Sequence, residues 1–118
     1  MLSLSMPREI FLCTSATDFR KSFDGLLALA QQHLAKDPLQ GGLFVFFNRR
    51  RDRVKLLYWD QDGLALWQKR LEFGTFERTP FAADATCVTL SATDLTLLLQ
   101  GIDLASVRRR KRYSLPVG

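Results

Sequence analysis

Residues 43–70 read LFVFFNRRRDRVKLLYWDQDGLALWQKR, and this stretch decides the fold. Leu43 to Phe47 is short, apolar and uninterrupted, which predicts a buried strand. Val54 to Trp59 predicts a second strand: Val54, Leu56 and Tyr58 alternate with Lys55, Leu57 and Trp59, so one face is apolar and the other mixed. Leu64 to Arg70 predicts a third, and Asp60-Gln61-Asp62-Gly63 is the turn before it, with Gly63 placed to take a positive φ. Strands joined this closely pair antiparallel. A further edge segment is expected around Phe73 to Glu77.

Working outward, Glu9 to Thr14 reads as a strand running into Ser15-Ala16-Thr17-Asp18. That tetrapeptide has the form of a helix start, since Ser15 can accept from an orphan amide three residues on and Asp18 suits the positive end of the helix dipole. Phe19, Phe23, Leu26, Leu27, Ala30 and Leu34 then draw one apolar stripe to about Ala35, and Asp37-Pro38 with Gly41-Gly42 ends it. The same four letters return at Ser91-Ala92-Thr93-Asp94, after a strand-like Cys87 to Leu90 and before a stripe of Leu95, Leu98, Leu99 and Ile102 that Gly101 breaks or closes. Pro80 and residues 82–85 read as a loop. The reading is an α+β domain over residues 1–107: an antiparallel sheet of about five strands, two helices packed on one face, in the order β-α-β-β-β-(β)-β-α. Residues 108–118 are expected to form a mobile basic tail.

The chain has 118 residues, enough for one core but not two. Its net charge of +5 is unevenly placed. Through Val107 twelve Lys and Arg meet twelve Asp and Glu, so the excess lies wholly in Arg108, Arg109, Arg110, Lys111 and Arg112. The body is neutral, and overall charge is a weak argument for nucleic acid. The tail could meet phosphate without reading sequence, or dock an acidic partner. Cys13 and Cys87 each sit in an apolar run and read as buried free thiols. No charged and apolar leader opens the chain and no apolar run reaches a membrane span, so the cytoplasm is the expected location.

Asn48-Arg49-Arg50-Arg51-Asp52-Arg53 sits where one strand turns back into the next. Arginine forks match phosphate oxygens in paired hydrogen bonds, and a hairpin tip can present several at one edge. Lys55, Lys69 and Arg70 could extend such a patch. The plainer reading is a charged edge that prevents sheet-to-sheet pairing. Tyr58 falls with Val54 and Leu56 and belongs to the core, whereas Trp59 and Trp67 could be neighbours on one face, where aromatics among arginines stack on unpaired bases. Arg20 and Asp24 can pair at a spacing of four, or Arg20 and Lys21 face a partner. Enzyme classes find little footing. Asp60 and Asp62 serve the turn, Asp52 has arginine neighbours to pair with, and His33 is the sole histidine. Neither a Gly-x-x-x-x-Gly-Lys phosphate loop nor a Cys-x-x-Cys pair occurs.

Thr17-Asp18-Phe19-Arg20-Lys21-Ser22-Phe23-Asp24-Gly25-Leu26 resembles the opening of the small TnpB accessory proteins of the insertion sequence sixty-six family. So do Leu43 to Phe46, Arg49 to Lys55, Trp59-Asp60, Asp62-Gly63, Lys69 to Glu72 with Gly74 and Phe76, and Leu97 to Asp103. Ser22 stands where that family has glycine, at a position read as mid-helix. The resemblance covers roughly Ile10 to Asp103 and is not to the RNA-guided nucleases that share the name TnpB. It implies a non-catalytic accessory of DNA transposition, needing no cofactor and no small-molecule substrate, that contacts DNA of the element ends, the separate transposase, or both. The contact residues it leaves as expectations are Arg49, Arg50, Arg51, Arg53, Lys55, Lys69, Arg70, Arg20, Lys21 and Trp59. The alternative is a pure interaction module that meets an acidic surface of the transposase and touches no DNA.

Overall fold

The computed structural model describes residues 9–77 and 85–100 of the chain. The loop expected around Pro80, the Gly101 stop with Ile102, and the tail from Arg108 to Arg112 lie outside the described residues. Five strands and two helices alternate as β1 (Ile10–Cys13), α1 (Phe23–Gln32), β2 (Leu43–Phe47), β3 (Arg53–Asp60), β4 (Gly63–Arg70), β5 (Cys87–Leu90) and α2 (Ala92–Leu99). A short 3-10 turn, Pro38–Gln40, precedes β2, and its Asp37 cap accepts from the Leu39 amide. The α+β class and the five strands agree with the sequence reading.

The strands form one sheet in the order β4-β3-β2-β1-β5. All neighbours are antiparallel except β1 and β2, which run parallel from Ile10 opposite Leu43 to Leu12 opposite Val45. The exception has a plain cause. A parallel return needs a long crossover, and α1 with its flanking segments supplies it.

Alternation along the strands divides the core. Ile10, Leu12, Leu43, Val45, Phe47, Val54 and Leu56 form one cluster with Leu95 and Leu98 of α2. Phe11, Cys13, Phe44, Phe46 and Leu57 form the other with Leu26 and Ala30 of α1 and Leu34 just beyond it. The helices therefore cover opposite faces, which corrects the single covered face expected from sequence. β2 shows why: Leu-Phe-Val-Phe-Phe is apolar at every position and buried at every position, so both faces of the sheet need a cover. Each large side chain taken out of water there contributes about 1.5–3 kcal/mol.

Three local expectations are corrected. α1 starts at Phe23, not at Ser15, and Ser22 is its N-cap residue rather than a mid-helix one. The segment before it is held by other bonds: the Thr17 amide donates to Phe47 O at 2.9 Å, and the Lys55 ammonium holds Phe19 O and Lys21 O at 3.1 and 2.7 Å. Those two carbonyls are the acceptors that a helix begun at Ser15 would need. The helix ends at Gln32, shortly before Ala35 takes a φ of 56°. In the β3–β4 turn Gln61, not Gly63, has the positive φ, 58°. Phe73 to Glu77 forms no strand; Phe76 is buried, its amide donating to Arg51 O at 2.7 Å, while Phe73 is 93 % exposed.

Trp59 and Trp67 also part company. Trp67 stands opposite Leu56 and packs on the α2 side, and Trp59 stands opposite Leu64, whose side chain packs on the α1 side. Tyr58 packs against the α2-side cluster as expected. Cys13 and Cys87 face each other across β1 and β5 as free thiols. Burial raises the Cys87 thiol above its ordinary value.

Candidate nucleic-acid interface

The loop between β2 and β3 is stitched by its own side chains. Asn48 Nδ2 donates to Asp52 Oδ1 at 2.6 Å, the Arg53 amide donates to Asn48 Oδ1 at 3.0 Å, and the Arg51 amide to Asn48 O at 3.1 Å. The Asn48 amide is the main reason that the Asp52 carboxyl lies below the usual carboxylate range, with a backbone bond and the charges of Arg50 and Arg53 adding to it. Asp52 is thus tied to asparagine, not to an arginine neighbour. The result is a fixed loop from which Arg49 and Arg50 project exposed, with Arg53 exposed at the start of β3.

The segment leading to α1 lies across the same end of the sheet. Asp18 accepts from the Arg20 amide at 2.9 Å and pairs with the Arg20 guanidinium at 2.6 Å. The Arg20 hydrogen bonds hold the Asp18 carboxyl at about 2. Arg20 therefore pairs with Asp18 and not with Asp24, because the backbone turns here instead of continuing as helix. Between loop and segment lies a cleft of about 650 Å³ whose walls include Thr17, Asp18, Arg20, Asn48, Arg49, Arg50 and Arg53. Four arginines meet one carboxylate there. Thr17 is 5 % exposed, and among the described residues its hydroxyl is buried with no hydrogen-bond partner. Sequence reasoning took Thr17 for part of a helix cap and gave it no further role.

A smaller cleft of about 320 Å³ adjoins the first through Arg53 and includes Gln68, Lys69, Arg70 and Glu72. Arg53 stands directly opposite Arg70, a like-charge pair that costs stability unless an anion answers it. Glu72 does so in part, bonding Arg70 Nε at 3.1 Å.

Not every expected contact residue joins this surface. Arg51 turns away: it donates to Phe76 O at 3.2 Å and Glu77 O at 2.6 Å and lies over the Phe47 ring at 4.3 Å. Lys55, expected to extend the patch, is only 7 % exposed and is spent on Phe19 O, Lys21 O and the Phe19 ring. Burial, and after it the charge of Arg53, lowers the Lys55 ammonium below its ordinary value. Lys69 reaches across to Leu99 O at the end of α2, at 3.2 Å. Lys21 is exposed and offers its carbonyl to Lys55, and Trp59 sits at the far end of β3, 41 % exposed, donating to Gln61 O. Among the described residues no group of three or more His, Cys, Asp or Glu could hold a metal, and no helix is long and apolar enough to cross a membrane.

Fold and site together define a small α+β domain with an arginine-lined cleft at one end of a sheet covered on both faces. The chain belongs to the family described as IS66 Orf2 like protein, whose profile matches residues 8–109. Membership places it with the accessory proteins of insertion-sequence transposition. It is similar to two proteins of Sinorhizobium fredii (strain NBRC 101917 / NGR234). The uncharacterized protein y4jC is 36 % identical over 110 residues, 93 % of this chain and 92 % of that one. The uncharacterized protein y4hO is 34 % identical over 103 residues, 87 % of this chain and 88 % of that one. No solved structure matches the chain.

Proposed function

We propose that the protein assists transposition without catalysing it, by gripping the phosphodiester backbone of DNA at the element ends in the cleft between Arg20 and Arg50. One observation carries this reading: arginines from two separate chain segments, 16–20 and 48–53, converge on a single concave surface in a body whose charges sum to zero. Guanidinium forks held by a stitched loop lose little freedom on binding and suit phosphate oxygens in pairs. Contacts of this kind set affinity and position, not sequence.

The test is a titration of the full chain with element-end duplex at several salt concentrations. Arg20 is already paired to Asp18, so Arg49, Arg50 and Arg53 carry the contacts, and the slope of log K against log salt should be about −3 or steeper, near 0.9 per phosphate contact. Replacing all three with alanine should remove roughly three from that slope while the melting curve stays put. Absence of binding at low salt, with the transposase still co-purifying, would replace this reading with the protein-interaction module.

A further inference from the structure

We infer that two copies of this chain join through the outer edge of β4, antiparallel, with Leu66 of one facing Leu66 of the other, into one continuous sheet. Among the described residues β4 pairs only with β3, in an unbroken register from Arg70 opposite Arg53 to Gly63 opposite Asp60. An edge of this kind is ordinarily blunted by brevity, proline, a bulge or charge. β5, the opposite edge, is short at four residues. β4 is eight residues long, has no proline, no bulge in its register and no charge before Lys69.

The backbone selects which residues can pair. The Leu71 amide donates inward to Asp52 O, and bonding alternates by twos along an antiparallel ladder, so Lys69, Trp67, Ala65 and Gly63 bond β3. Leu64, Leu66, Gln68 and Arg70 then direct their N–H and C=O groups outward. Two copies related by a twofold axis normal to the sheet can join these outward groups with any residue from Ala65 to Gln68 at the centre. Charge separates them. Centring on Leu66 sets Leu64 opposite Gln68 and brings Asp62, in the turn just before β4, level with Arg70, giving about six main-chain hydrogen bonds and two opposite-charge pairs. Centring on Trp67 sets Arg70 opposite Leu64, and the other registers likewise give Arg70 no opposite charge across the seam. In the favoured register half-buried Leu66 meets its counterpart on the α1 side, and Trp67 covers Ala65 of the other copy on the α2 side.

The axis leaves both arginine clefts on the same side of the joined sheet, on the order of 30–40 Å apart by strand rise and spacing. That is close to one helical turn of duplex DNA. Only this last consequence rests on the function proposed above.

Sedimentation of the full chain over a wide concentration range tests the pairing. A species of twice the 13.5 kDa chain mass is expected. Gln68→Pro removes only an outward amide and should yield monomer with an unchanged circular dichroism spectrum, as proline is tolerated on an edge. Asp62→Lys and Arg70→Glu should each weaken the dimer about tenfold or more, and the double variant should restore it. A wild type that stays monomeric, a dimer indifferent to Gln68→Pro, or a double variant that regains nothing overturns the inference. A dimer that binds no DNA refutes the cleft reading alone, and a monomer that binds DNA refutes only the pairing.

Discussion

Replacing Lys55 with methionine separates an anchor from a contact. The ammonium donates to Phe19 O at 3.1 Å and Lys21 O at 2.7 Å from a site 7 % exposed. Hydrogen bonds to a charged group contribute about 1.5–3 kcal/mol each, but removing the ammonium from water offsets several kcal/mol of that. Methionine keeps most of the stem's packing, and Lys21 O can regain water because its residue is exposed. The expected net loss is about 1–2 kcal/mol, rising to about 3 for Lys55→Ala, where the stem goes as well. For a domain near 100 residues each kcal/mol lowers the melting midpoint by about 4–8 °C. Because burial lowers the folded-state value beneath the ordinary 10.5, the unfolded chain binds the proton more tightly. The charged lysine therefore costs stability in full below its folded value, and that cost fades as pH rises towards 10.5. Lys55→Met should flatten this alkaline gain. In the DNA titration the variant should leave the salt slope unchanged, although affinity falls as the 16–20 segment loosens. A variant that melts like the wild type but sheds about one from the slope would refute the reasoning and make Lys55 a phosphate contact.

Arg51→Ala should lower stability by about 1–2 kcal/mol in urea unfolding, through loss of its bonds to Phe76 O and Glu77 O and its ring contact, with the salt slope intact. Asp18 should titrate with a midpoint at about 2 by NMR; its contribution to stability is present above 3.8 and is lost as pH falls through about 2, and Asp18→Asn should abolish that acid dependence. Ser91→Ala should cost about 1 kcal/mol as a lost helix cap, because Ser91 Oγ accepts from the Asp94 amide at 3.0 Å. Ser15→Ala, in the same tetrapeptide, should stay within about 0.5 kcal/mol in the same unfolding assay.

That pair of serines shows where sequence stopped being informative. Ser-Ala-Thr-Asp occurs at 15–18 and at 91–94. The second copy caps α2 as its letters predict, since nothing else competes for the Ser91 carbonyl and hydroxyl that receive Leu95 and Asp94 amides. At the first copy the Thr17 amide goes to Phe47 O, and Lys55 takes the carbonyls of Phe19 and Lys21, all from strands distant in sequence. Local propensity is the same at both places, and tertiary bonds decide between them. The strands from Leu43 to Arg70 were legible because period-two alternation is itself the packing pattern. Alternation also put Lys55 on the face away from Val54 and Leu56 correctly. Whether that face meets water depends on where α1 crosses, and α1 crosses over it. The arginine cleft was half legible for the same reason. Arg49, Arg50 and Arg53 announce themselves as a run, but the wall that Thr17, Asp18 and Arg20 supply exists only because the first Ser-Ala-Thr-Asp fails to start a helix. A helix begun at Ser15 would have committed the Phe19 and Lys21 carbonyls to its own ladder, leaving Lys55 buried without partners. The buried lysine and the open cleft are thus two results of one local frustration, and a variant that relieves it should lose both.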